Sequence, residues 1–199
     1  MAALLEAATG DRLEALYTVA VTTGARQGEL LALKWEDVDL EGKKLRIRRT
    51  LARTKGTMTL GQPKTAKSRR IVTLTARAVA ALKAHRKRQL EERMRLADLY
   101  EDRGLVFANE VGGITNPSNL RQRSFAKIVE RAGLPKTTRF HDLRHTCATL
   151  LLSRGHYLRS VQELLGHANA SITLDTYSHV LPGMSEGLAD AMDDALGVG

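Results

Sequence analysis

Cysteine is almost missing: Cys147 is the only one in 199 residues, which excludes an internal disulfide and fits a reducing, cytoplasmic setting. No stretch approaches the ~18 consecutive apolar residues that a membrane-spanning helix needs, and no signal peptide is recognisable at the start. Internal repeats and low-complexity tracts are missing too. Charge of one sign is withheld from two long regions. Between Lys43 and Arg88 there are sixteen Lys and Arg and not one Asp or Glu, whereas residues 161–199 hold six acids and no Lys or Arg. The net charge of +9 therefore hides a strongly basic region, residues 1–160, followed by an acidic end. Such a field attracts polyanions, and a basic surface kept only for solubility does not explain why one stretch excludes acids altogether. Nucleic acid is the expected partner, and a membrane is not.

With 43% hydrophobic residues, the chain can bury a real core and is long enough for one domain of ordinary size, 1–199. The spacing of Leu13, Leu16, Tyr17 and Ala20 predicts a helix over 12–21, broken by Thr22-Thr23-Gly24, with a second helix starting near Arg26. Leu45 to Leu51 alternates apolar and basic residues like a half-buried strand, with Arg46 and Arg48 on its outer face. Strands between Gly56 and Gly61 and over Arg70 to Leu74 would complete a small antiparallel sheet, with Pro63-Lys64-Thr65 in its last hairpin. Residues 76–99 read as the longest helix, with Val79, Leu82, Leu90, Met94 and Leu96 along its apolar side and Arg86-Lys87-Arg88 exposed. Asn116-Pro117 reads as an N-cap followed by proline at the first helical position. The helix it opens runs to Arg131 and carries Arg121, Arg123 and Lys127, read as contacts to a phosphate backbone. The fold class expected is mainly α with a small antiparallel β-sheet, α+β.

The chemistry-bearing residues crowd the last third. Leu143, Cys147, Leu150 and Leu151 recur at three- and four-residue intervals, an amphipathic helix that puts His141 and Arg144 on one face. Such a pair offers a guanidinium fork for an anion beside an imidazole able to move a proton. Cys147 falls on the apolar stripe and reads as a small core residue. Gly155 stops this helix, and a short one over Val161 to Leu165 ends at Gly166, so His167 projects just beyond it. Ser171 to Tyr177 suggests another short helix carrying a phenol, a possible nucleophile. After Pro182-Gly183 comes an acidic amphipathic helix, Met184 to Leu196, with Leu188, Ala189, Met192 and Leu196 on one stripe. Arg26 sits far upstream between Gly24 and Gly28, small residues that let a backbone or a phosphate approach. Glu29 can either brace that guanidinium or cap the helix start.

Thr23-Gly24-Ala25-Arg26-Gln27-Gly28-Glu29-Leu30, Pro63-Lys64-Thr65, His141 to Arg144, Leu165-Gly166-His167 and Tyr177-Ser178-His179 together resemble the catalytic domain of the tyrosine recombinases, the phage-integrase family. These pieces keep the family's order and usual spacings over roughly residues 10 to 180. Any one would be weak; five in register form a strong joint signal. The resemblance implies a DNA-breaking and rejoining enzyme without metal or cofactor. In it Tyr177 attacks the scissile phosphate, Arg26, Arg144 and His167 hold the nonbridging oxygens, His141 accepts the phenol's proton and Lys64 protonates the departing oxygen. Lys67 is the rival for that last role. The helix over 184–199 resembles the tail that recombinases dock on a neighbouring protomer, packing on its own domain being the alternative. Family members usually carry an N-terminal DNA-binding domain, absent here, so an excised catalytic portion is expected.

Three other readings compete. His141 and His145 are i, i+4 neighbours like a zinc helix, with His167 and His179 as further ligands. Against this, Asp142 stands at the second position, no glutamate follows as a base, and Arg144 would face the cation. His145 reads instead as a helix-face residue near the site or a satisfied core histidine. A non-catalytic DNA-binding module would need neither Tyr177 nor both arginines. A type IB topoisomerase shares the chemistry but relaxes DNA without recombining it.

Overall fold

The computed structural model describes residues 1–54, 56–62 and 68–166, together with Met192, Leu196 and Gly197. At its centre lies α2 (Glu14–Thr23), whose Ala15, Leu16, Tyr17, Thr18, Val19, Ala20, Val21 and Thr23 are all buried. A helix apolar on nearly every side belongs inside a domain, and each fully buried Leu or Val contributes about 1.5–3 kcal/mol. Helix α4 (Ala76–Leu96) and helix α7 (Asp142–Leu152) pack on α2, while α1 (Ala2–Ala7) packs on α2 and α6 (Ala126–Arg131). Tyr17 of α2 meets Phe125 and Phe140 at ring-centroid distances of 5.9 and 6.3 Å, an aromatic knot that ties α2 to the segments leading into α6 and α7.

The chain between Val38 and Thr73 forms two small sheets. Strands β1 (Val38–Asp39), β2 (Lys44–Ile47) and β5 (Arg70–Thr73) form one antiparallel sheet in the order β1-β2-β5, and β3 (Thr50–Thr54) pairs antiparallel with β4 (Thr57–Gly61) in the other. The single strand expected over Leu45 to Leu51 is thus divided at Arg48-Arg49. Arg49 pairs with Glu36 and Asp37, and Arg48 with Asp37 at 3.5 Å, so the buried Asp37 carboxylate pulls both residues out of the ladder. Because β4 pairs with β3 and β5 with β2, residues 62–69 link two sheets rather than closing a hairpin within one.

Helix α4 starts at Thr75, whose hydroxyl accepts a hydrogen bond from the Ala78 amide. Its buried side follows Ala78, Val79 and Leu82 and continues through His85 and Gln89, whereas Leu90 and Met94 are exposed, the latter at 81%. The helix leaves the hydrophobic core there and meets backbone instead. The Gln89 amide donates to the carbonyls of Leu105 and Val106, and His85 Nε2 lies 2.7 Å from the Val106 oxygen. Asn116 caps α5 (Pro117–Asn119) through Oδ1, as the Asn-Pro signal predicts. That helix does not run on regularly: Leu120–Phe125 is a π-helical turn before α6 resumes. Helix α8 (Leu158–Leu165) folds back on α7 over a small core of Ala148, Leu152, Val161 and Leu165, and ends at Gly166 in the left-handed conformation at φ 65°. Among the described residues no helix is long and apolar enough to cross a membrane.

Candidate active site

Gly24 ends α2 at φ 62°, a conformation that a side chain would strain, and the chain turns there so that Arg26 becomes the N-cap of α3 (Gln27–Leu31). The buried Thr23 hydroxyl steadies the turn, donating to the Val19 carbonyl at 2.6 Å and accepting from the Ala25 amide at 3.3 Å. Glu29 performs both tasks left open for it. Its Oε2 accepts from the Arg26 amide at 2.9 Å and its Oε1 from Arg26 Nη1 at 3.0 Å, so one carboxylate fixes the arginine's backbone and guanidinium together. Arg26 remains 38% exposed, able to reach an incoming anion.

Arg144 is held differently. Phe140, Leu143 and Arg144 are buried at the start of α7, leaving His141 at the surface between them. Arg144 Nη1 donates to the Gly24 carbonyl at 2.6 Å and Nη2 to the Leu165 carbonyl at 2.7 Å. One guanidinium therefore gathers the turn before Arg26, the first turn of α7 and the end of α8, from which the chain passes directly to His167. Close approach makes this possible: a Cβ on Gly24 would come 2.5 Å from Leu165 Cδ2 and 3.4 Å from Cys147 Sγ. Cys147 is buried, and burial pushes its thiol up to about 11, an inert core position as its place on the apolar stripe predicts.

Partial burial lowers the pKa of His141, and the positive fields of His145, Arg144 and Arg26 act in the same direction. The shift favours the neutral imidazole, the form that accepts a proton. The His145 ring stands edge-on to it at 4.8 Å. The rest of the turn is anchored by Asp142, whose carboxylate accepts from the Arg139 amide at 2.8 Å and from its guanidinium at 3.2 Å.

The described residues thus bring together Arg26, His141 and Arg144. Lys64, Lys67, His167, Tyr177 and His179, the helix over Ser171 to Tyr177 and nearly all of the tail over 184–199 lie outside the described residues. Of the tail's apolar stripe, Met192 and Leu196 are helical and exposed.

One site residue escaped the sequence reading. Arg70 opens β5 with its side chain only 7% exposed and forms a paired ion bridge with Glu29, Nη1 to Oε1 at 3.1 Å and Nη2 to Oε2 at 2.9 Å. Burial alone would push the Glu29 carboxyl up; the hydrogen bonds from Arg70, with the charges of Arg70 and Arg26, more than offset this and hold it below its ordinary value. A signal was present, since Arg70 lies in phase with the buried Val72 while Ile71 between them is 63% exposed.

A groove of about 510 Å³ lined by Arg121, Lys127, Lys136 and Arg139 adjoins this site, with Phe125 and Phe140 in its wall. Arg121 is tied to the residue after Arg26, donating to Gln27 Oε1 at 3.3 Å. The π-helical turn separates the arginines expected to act together: Arg123 lines another cavity, of about 580 Å³, with Arg12 and Arg131, and Lys127 borders both.

A sequence model of the phage integrase family matches residues 1–183. Among curated proteins, a XerC-like tyrosine recombinase of Caldanaerobacter subterraneus subsp. tengcongensis is 43% identical over 95% of this chain and 51% of its own length. The chain spans about half the length of the curated relatives it matches. Among solved structures, XerA recombinase superposes with a TM-score of 0.71 at 29% identity, covering 98% of this chain and 60% of that one. The Tn1549 transposon integrase in complex with transposon right end DNA gives a TM-score of 0.76 at 23% identity, covering 98% and 63%, and shares the fold.

Proposed function

The chain belongs to the phage integrase family, and on that premise we propose that it is the catalytic part of a site-specific tyrosine recombinase that cuts and rejoins double-stranded DNA. The observation that carries the reading is the double anchorage of Arg144 to Gly24 and Leu165. It collects in one place three motif-bearing stretches of the chain: the turn before Arg26, the first turn of α7 and the end of α8. Arg26 supplies a second guanidinium, and the Lys and Arg of the adjoining groove supply a track for the phosphate backbone.

The Tyr177 phenol attacks phosphorus, the bond to the 5′ oxygen breaks, and the products are a 3′-phosphotyrosine and a free 5′ hydroxyl. Charge gathering on the nonbridging oxygens is met by Arg26, Arg144 and His167, each such donor worth on the order of 3 kcal/mol in the transition state. Neutral His141 takes the phenol's proton, and Lys64 gives one to the departing 5′ oxygen. The phosphotyrosine bond keeps the energy of the broken one, so a different 5′ hydroxyl can reverse the step without ATP. Strand exchange then requires further copies of the protein on the DNA, and the tail over 184–199 is the segment proposed to reach them.

The test is a duplex nicked near the cut so that the freed piece diffuses away and traps the covalent adduct. The unsubstituted chain accumulates adduct, and Tyr177→Phe binds the same duplex without forming any. Adduct in Tyr177→Phe would move the nucleophile elsewhere, and none from the parent would sink the catalytic reading.

A further inference from the structure

Resting on that catalytic reading, we propose that Arg70 is a positioning residue for strand cleavage. Its buried guanidinium locks the Arg26 turn, the end of the segment that follows Lys64 and the turn leading to His167 into one rigid unit. Among the described residues, every hydrogen bond it makes lands within four positions of a proposed catalytic residue. Two go to Glu29, three residues after Arg26. Nε donates to the Leu164 carbonyl at 2.6 Å, three residues before His167. Nη1 also donates to the Ser68 carbonyl at 3.1 Å, four residues after Lys64.

Glu29 relays the constraint. Its side chain is 2% exposed, and each carboxylate oxygen accepts one bond from Arg70 and one from Arg26. Arg26 can therefore shift only if the Glu29 carboxylate does, and Arg70 prevents that. On the opposite side the guanidinium packs against Gly166, where a Cβ would lie 2.9 Å from Nη1, so the residue before His167 is seated directly on Arg70. A buried ion pair is a poor source of net stability compared with apolar packing, and its best-attested use is to fix one arrangement among several. Lysine could not replace it: a single ammonium lacks the planar fork that spans both Glu29 oxygens while Nε reaches a third acceptor.

The experiment compares single-turnover cleavage by the full chain, Arg70→Lys, Arg26→Lys and the double variant, over a range of DNA concentrations. Misplacement of a reacting group by about an ångström costs up to about 10² in rate. Arg70→Lys is therefore expected to lose about 10- to 100-fold in maximal rate, while the DNA concentration for half-maximal rate moves less than about threefold. Because Arg70 acts through Arg26, the double variant should fall short of the product of the single defects by about tenfold or more. An unchanged maximal rate, defects that multiply, or a loss confined to the half-saturation concentration would each overturn the proposal. If Arg70→Lys does not fold, the neutral pair Arg70→Gln with Glu29→Gln takes its place under the same criteria. If the unsubstituted chain forms no adduct, it is the catalytic reading that has failed. Positioning is then judged by titration with vanadate, where weakening of about fivefold or more in Arg70→Lys supports it and equal affinity overturns it.

Discussion

At Arg144 two of the five N–H donors are committed to the carbonyls of Gly24 and Leu165, so in the proposed phosphate clamp the residue would serve the fold as well. Arg26, 38% exposed, is braced among the described residues by Glu29 and holds no such pair of backbone carbonyls there. The two should therefore separate in a stability assay although the proposed chemistry needs both. Arg144→Ala strands two carbonyls at about 1–3 kcal/mol each, and denaturant titration should register a loss of roughly 2–5 kcal/mol. Arg26→Ala should stay within about 1 kcal/mol of the parent, because the exposed guanidinium is lost but Glu29 keeps its paired bridge to Arg70, while both lose about 10²-fold or more in cleavage rate. Equal stability losses would mean that the Gly24 and Leu165 carbonyls find other donors. His141 makes its own prediction. Burial first, then the cationic neighbours, depress its pKa, so the imidazole stays neutral below the ordinary value of ~6.5. A base must be neutral to act, hence the single-turnover rate should hold level as pH falls through ~6.5 and decline only at lower pH. His141→Gln should be slow and lack that acid limb. A limb that survives in His141→Gln belongs to another group.

Two left-handed glycines mark the element ends that meet at the site, Gly24 closing α2 and Gly166 closing α8. Gly24→Ala combines a strained φ of 62° with a Cβ at 2.5 Å from Leu165 Cδ2. Left-handed strain of about 1–2 kcal/mol adds to the cost of displacing α8. The variant should thus melt lower, and its cleavage rate should fall further than stability explains, because displacing Leu165 also loosens Arg144. Gly155→Ala is the control: it is equally left-handed at φ 79° but meets nothing within 4 Å, so it should show the strain alone. The helix ends themselves were legible, since Gly24, Asn116-Pro117 and Gly166 are local signals and act where they stand. Periodicity found α2, α4 and α7 for the same reason. It failed where a distant partner decides the outcome. Leu90 and Met94 are exposed because the buried side of α4 is completed by His85 and Gln89 meeting the Leu105-Val106 backbone. The strand expected over Leu45 to Leu51 breaks because Asp37 claims Arg48 and Arg49. The site is the extreme case: its bonds run from Arg144 to Gly24 across 120 positions and from Arg70 to Leu164 across 94. Motif resemblance pointed to Arg26, His141 and Arg144, and Arg70, outside every motif, was not singled out.

Across the whole molecule the net positive charge of residues 1–160 becomes an arrangement. Cations around Arg26 and His141 continue into the groove of Arg121, Lys127, Lys136 and Arg139, where Glu130 is the one acid in the lining. Within the groove Arg139 is matched with Asp142, and elsewhere Arg12 pairs with Glu92, Arg93 with Asp102 and Arg103 with Glu101. If the groove is where a duplex backbone lies, binding must follow counterion release, with affinity falling as a power of salt concentration and each phosphate contact adding about 0.9 to the slope. Arg121→Gln and Lys136→Gln should then each weaken binding and flatten the slope by about 1, with equal effect on unrelated duplex sequences, because backbone contacts position DNA without reading it. Arg103→Gln, whose charge Glu101 already meets, should leave both quantities unchanged. Binding is best measured on Tyr177→Phe, so that no covalent product distorts the equilibrium. A slope that falls equally in Arg103→Gln and Arg121→Gln would mean that the duplex senses net charge alone. A slope unchanged in both groove variants would place the phosphate track on another face, the one to examine next being the cavity lined by Arg12, Arg123 and Arg131.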